Sequence, residues 1–173
     1  MLMKAGPAVF SLLVMLAILP TSLVSAHGGE STGGLTNFQI MLISIGISVS
    51  IYFLSSKTLG TQKYPTRPLI FTLVAFTGSV HILLGLNDNL LLLGGIGVTG
   101  ILGLSFLVNF TPRQDKIARI GIGLVVISMF VGYFVSNHNI HYILEDYLGI
   151  VTKLVELSII IMLFKDGKPQ RTN

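Results

Sequence analysis

Residues Leu90 to Phe110 read LLLLGGIGVTGILGLSFLVNF, 21 residues without a charged side chain. At about 1.5 Å of rise per residue, a helix of this length matches the roughly 30 Å hydrocarbon core of a bilayer. Its apolar residues fall on every side of the helix, and nothing alternates as it would in a strand with one wet face. The natural solvent for such a helix is lipid.

Four more stretches are predominantly apolar: Phe38 to Leu54, Leu69 to Leu86, Ile117 to Val135 and Leu148 to Phe164, so that the five runs are each 17 to 21 residues long. Composition points the same way. Only 10% of the 173 residues are charged, against about 25% in a soluble domain. Hydrophobic residues make up 51%, and the mean hydropathy is +0.82. The expected fold class is all-α, an integral membrane bundle of five transmembrane helices with the lipid bilayer as its immediate partner, because helices satisfy every backbone polar group in lipid. The chain has no cysteine, which removes disulfides, thiolate metal sites and c-type haem attachment. The net charge of +4 comes from scattered basic residues rather than a basic run interleaved with aromatics, so nucleic acid is not an expected partner.

Residues 1–26 have the form of a signal peptide. Lys4 supplies the positive end, Ala8 to Leu19 the apolar core, Pro20 a break, and Val24-Ser25-Ala26 the small-residue cleavage site. The apolar core is 12 residues long, short of the roughly 20 needed to span. Cleavage would leave His27 at the mature N-terminus. The expected division is a signal peptide over 1–26, an extracytoplasmic leader over 27–37, the five-helix domain over 38–165 and a cytoplasmic tail over 166–173. With the leader outside, Lys57, Lys63, Arg67, Arg113, Lys116, Arg119, Lys165, Lys168 and Arg171 all fall on the cytoplasmic side, which is nine of the ten basic residues after cleavage. That is a positive-inside pattern for a cell-membrane protein. The tenth, Lys153, is within the fifth span.

This topology puts no histidine in the cytoplasm. His27 is in the leader, His81 lies below the outer end of the second span, and His138 and His141 are in the outer loop from Ser136 to Tyr147. Ile140, Ile143, Leu144 and Tyr147 follow a helical spacing, so this loop is expected to form a short helix on the membrane surface. His138, His141 and Glu145 would then share an arc of about 60°. The arrangement suits either a solvated face or a ligand set. With His27, whose amino group and ring can bind one ion together, these residues form a candidate extracytoplasmic metal site. Copper is the expected metal, with zinc or another divalent transition ion as the alternative, because the donors are nitrogen and oxygen and copper leads the divalent affinity order.

A second constellation lies inside the membrane. Lys153 and Glu156 are spaced i, i+3 on the fifth span, near the expected depth of His81. Polar side chains at that depth need partners. An intramembrane cluster of His81, Lys153 and Glu156, joined by Asp88 or Asn87, is expected, either locking the helices or binding a proton or ion. Glycines at 94, 97, 100 and 103 form an i, i+3 row on the third span and are expected to serve close helix packing.

His81-Ile-Leu-Leu-Gly-Leu, Leu90-Leu-Leu-Leu-Gly-Gly-Ile-Gly97 and Asp146-Tyr-Leu-Gly-Ile-Val-Thr-Lys-Leu-Val-Glu156 resemble the repeated features of a family of small, uncharacterised archaeal multi-pass membrane proteins. The resemblance covers roughly residues 70 to 165 and implies the bundle and the importance of His81, Lys153 and Glu156. The chain is more weakly similar to HupE/UreJ-type nickel permeases, which share a signal peptide, a histidine near the mature start and a membrane histidine followed by Gly and Asp. It departs from them in having Asn87-Asp88 where their Asp-His pair falls, and in having fewer spans.

Two functions are in competition. One is a non-catalytic membrane subunit or assembly factor of a larger membrane complex, such as a metalloenzyme, with other membrane subunits as partners. The other is a small copper or nickel transport or delivery protein. A membrane hydrolase has no GxSxG or HExxH motif here to support it.

Overall fold

The computed structural model describes residues 35–58, 67–108, 110–136 and 145–166. It contains α1 (Asn37–Thr58), α2 (Arg67–Leu84), a 3-10 turn (Gly85–Asn87), α3 (Asn89–Leu107), α4 (Pro112–Ser136) and α5 (Tyr147–Asp166). All five α-helices are long and apolar enough to cross a membrane. The expected surface helix after Ser136, together with His138 and His141, lies mostly outside the described residues, as do the leader and His27.

Several helices begin where side chains satisfy orphan backbone donors. Thr36 and Gln39 form a reciprocal capping box at α1: Gln39 N donates to Thr36 Oγ1 and Thr36 N to Gln39 Oε1. Thr111 and Gln114 repeat the device at α4, where Pro112 occupies the first helical position, at which a missing N–H has no cost. This cap starts α4 five residues before the apolar run at Ile117, so the helix opens on the charged residues Arg113, Asp115 and Lys116. Asp88 caps α3, its carboxylate accepting from the backbone N–H groups of Leu90 and Leu91.

α2 is the centre of the bundle. It packs against α1, α3 and α5, while α4 packs against α3 and α5. Helices α2, α3, α4 and α5 therefore close a ring in which α2 and α4 are diagonal, and α1 lies outside against α2. Of α2's apolar window 61% is buried, against 11–33% for the other four. The main core joins Phe71 and Val74 of α2 to Val98 and Leu102 of α3, Val126 of α4 and Ile159 of α5. A second cluster joins Ile40, Phe76, Val80 and Leu148. Large apolar side chains elsewhere face outward, including Leu90, Leu93, Leu107, Leu124, Leu154 and Phe164. Their area would carry a heavy hydration cost in water and none in lipid.

The glycine row on α3 divides between two environments. A Cβ on Gly94 would meet Met129 and one on Gly97 would meet Val125, both on α4, whereas Gly100 and Gly103 have nothing within 4 Å. Gly95, outside the row, instead meets backbone atoms of α2. A Cβ there would lie 2.7 Å from the backbone nitrogen of Ile82 and 2.9 Å from the carbonyl oxygen of Gly78. Gly85 serves the tight passage from α2 to α3, since its missing Cβ leaves space for the backbone of Leu91 and Leu92.

The two ends of the bundle differ in charge. Arg67 of α2 pairs with Asp115 of α4, whose second oxygen is 3.2 Å from Arg119, forming a clasp across the diagonal. Asp88, Glu145 and Asp146 lie at the opposite, acidic end.

Candidate functional site

The site is assembled by three helices around the middle of α5. Lys153 and Glu156 are one turn apart on the face that α5 turns inward, as their i, i+3 spacing requires. Lys153 Nζ donates to Glu156 Oε2 at 2.7 Å and to the backbone carbonyl of Met129 on α4 at 3.1 Å. The ammonium also lies 5.1 Å from the centroid of the Tyr133 ring, within cation–π range. Glu156 Oε1 accepts from Thr77 Oγ1 on α2 at 3.1 Å and is 3.5 Å from His81 Nε2. His81 Nδ1 is 2.8 Å from the Thr77 carbonyl oxygen.

Burial is close to complete. Glu156 and Thr77 are 0% exposed, His81 3% and Lys153 7%. Both carboxylate oxygens of Glu156 are engaged, one by α5 itself and the other by α2, so the carboxylate joins the diagonal helices α2 and α4 through Lys153. A buried charge needs this kind of partnership, because an isolated one in low dielectric carries a penalty of several kcal/mol, of order 3 or more.

A half-buried layer lies above the cluster. Tyr133 Oη donates to Asp146 Oδ2 at 3.1 Å, and Asp146 Oδ1 accepts from Gly149 N at 2.9 Å, capping α5. Beside it, a groove of about 190 Å³ runs between α4 and α5, walled by Phe130, Phe134, Leu154 and Leu157, with Lys153 contributing to its lining.

Of the four intramembrane residues expected together, His81, Lys153 and Glu156 meet and Asp88 stands apart. Asp88 is exposed and spends its carboxylate on the α3 cap. The reason is local: immediately before a helix, two orphan backbone donors lie within reach of a short acidic side chain. Replacing Asp88 by Ala should therefore cost about 1 kcal/mol, the usual size of a lost cap. A thermal midpoint measured in detergent checks this, since a member of the buried cluster would lose several times more.

Glu145 is exposed at the acidic end. Its proposed companions His27, His138 and His141 lie outside the described residues, and among the described residues no three His, Asp or Glu side chains gather into a metal-binding group. Sequence reasoning missed Thr77, Met129 and Tyr133. Thr77 had a signal, since it precedes His81 by four residues and so shares its helix face. Tyr133 reads in sequence as an interfacial aromatic, and the Met129 contribution is a backbone atom that no side-chain pattern encodes.

No family model, curated protein or solved structure matches the chain. What is shown is a membrane-embedded all-α bundle with a buried His–Glu–Lys network.

Proposed function

We propose that this chain is a non-catalytic integral membrane subunit, or assembly factor, of a larger membrane complex. The observation that carries the reading is the buried network that links α2, α4 and α5. Hydrogen bonds from Thr77 and Lys153 to Glu156, and from Lys153 to the Met129 carbonyl, tie α2, α5 and α4 together with His81 seated beside them, an arrangement that fixes helix positions and presents a shaped scaffold to neighbours in the bilayer. The basic residues at one end support a cytoplasmic placement for it, with the acidic end outside. On that side, His27, freed by removal of residues 1–26, would join His138, His141 and Glu145 in holding copper or another divalent metal for the complex.

The test is purification of the untagged protein from its native membrane in mild detergent, with elemental analysis and intact mass. The expected result is co-migration with companion subunits in fixed ratio, a mature mass lacking residues 1–26, and bound copper that is lost in the His138→Ala/His141→Ala variant and kept in Lys63→Ala. A monomer without companions would overturn the subunit reading. Metal that passes across vesicle membranes carrying this chain alone would favour a transport or delivery role instead. A full-length mass together with failure to bind added copper or zinc would remove the metal site.

A further inference from the structure

We propose that the gap between His81 Nε2 and Glu156 Oε1 is a proton-binding site, and that its occupancy sets how tightly α2 and α5 are held together. This goes beyond the subunit reading and does not depend on it.

The tautomer of His81 is fixed by its contact with the backbone. A backbone carbonyl oxygen only accepts, so the 2.8 Å contact between His81 Nδ1 and the Thr77 carbonyl places a proton on Nδ1. In a neutral imidazole the other nitrogen then carries a lone pair, and here Nε2 faces a carboxylate oxygen at 3.5 Å. Two acceptors opposed at that separation do not form a hydrogen bond, and the distance exceeds the usual 2.7 to 3.2 Å range by about 0.3 Å. One proton between them converts the opposition into a charge-assisted bond, which is shorter and stronger. The site is therefore complete except for its ligand, and the ligand is a proton.

The surrounding groups define the charge balance. On α5, Lys153 already neutralises Glu156 through Oε2. From α4 come Tyr133, whose ring faces Lys153, and the Met129 carbonyl. The side chains of α2 nearest the gap are His81 itself and the neutral Thr77. The buried polar side chains of α1, Ser44, Ser48 and Ser55, are neutral, and the apolar sequence of α3 brings no charge. Asp146 is the nearest acid above the cluster and is held by Tyr133 and by the start of α5. With the gap empty the cluster is neutral; with the proton bound it carries one positive charge shared between His81 and Lys153, both facing the same carboxylate. Proton uptake thus strengthens the α2–α5 contact and makes Lys153 and His81 competitors for Glu156.

The experiment is nitrogen-15 NMR of histidine-labelled full-length protein in lipid nanodiscs over a pH titration, with the His81 signals assigned by their loss in His81→Gln. The expected spectrum shows Nδ1 protonated throughout and Nε2 passing from unprotonated to protonated on acidification. Glu156→Gln, which keeps the shape and removes the charge, should weaken proton binding at Nε2 at least tenfold. Lys153→Met should strengthen it by removing the competing cation. A neutral ring protonated on Nε2, or an Nε2 that stays unprotonated until the protein unfolds, would overturn the proposal. So would equal proton affinity in the wild type and Glu156→Gln.

Discussion

Replacing Lys153 by Leu should lower the stability of the bundle by about 3 to 5 kcal/mol, the cost of removing one partner from a buried ion pair. The loss has a definite location. Glu156 Oε2 would face the former ammonium position with no donor among the described contacts, while Oε1 would keep only the Thr77 hydroxyl as donor. The Met129 carbonyl is less affected, since it belongs to a helix ladder. Lys57→Leu at the end of α1 removes an exposed charge instead, and its effect should stay within about 0.5 kcal/mol. The double variant Lys153→Leu/Glu156→Leu should regain much of the loss, because a buried pair replaced by apolar groups of similar size is often neutral or stabilising. Thermal unfolding in one detergent across the three variants decides the matter. Equal midpoints for Lys153→Leu and Lys57→Leu would show that the pair carries no stability.

The second large effect is expected at Gly95. Its missing Cβ faces main-chain atoms of α2, and main chain cannot rotate aside as a side chain can. Gly95→Leu must therefore push α2 and α3 apart, with a loss of about 3 kcal/mol or more, at the upper end of overpacking costs. Gly100→Leu is the matched control on the same helix. It introduces the same side chain where nothing lies within 4 Å and should be neutral or slightly stabilising through better helix propensity. Similar loss of monodisperse protein for both variants would show that the effect is general to α3 and not due to the α2 contact.

The five helices were legible in the sequence because hydrocarbon thickness sets their length and lipid disfavours a polar stripe, so each run announces itself by predominant apolarity, even α5 with its Lys153 and Glu156. Ends were less legible. The Thr111–Gln114 cap extends α4 into charged residues that hydropathy alone excludes. The Lys153–Glu156 pairing was readable from i, i+3 spacing and the meeting with His81 from shared depth. The glycine row was misleading in detail, because i, i+3 periodicity identifies a stripe without saying which neighbour covers it, and it is Gly95, one position off the stripe, that meets the backbone of α2. Asp88 shows the same limit from another side: depth along the chain placed it near the cluster, while the chemistry of a helix start claimed its carboxylate first.

The network's membership also has a consequence for biosynthesis. Thr77 and Glu156 are 79 positions apart in the chain, so α2 emerges from the ribosome long before the helix that completes its polar cluster. At the usual pace of about 5 to 20 residues per second, the interval is roughly 4 to 16 seconds. During it, His81 and Thr77 must be sheltered by water, by the insertion machinery or by other lipid-embedded protein. A nascent chain arrested between α4 and α5 should therefore remain cross-linkable from position 81 to its insertion channel, and should leave that channel when synthesis resumes through Glu156.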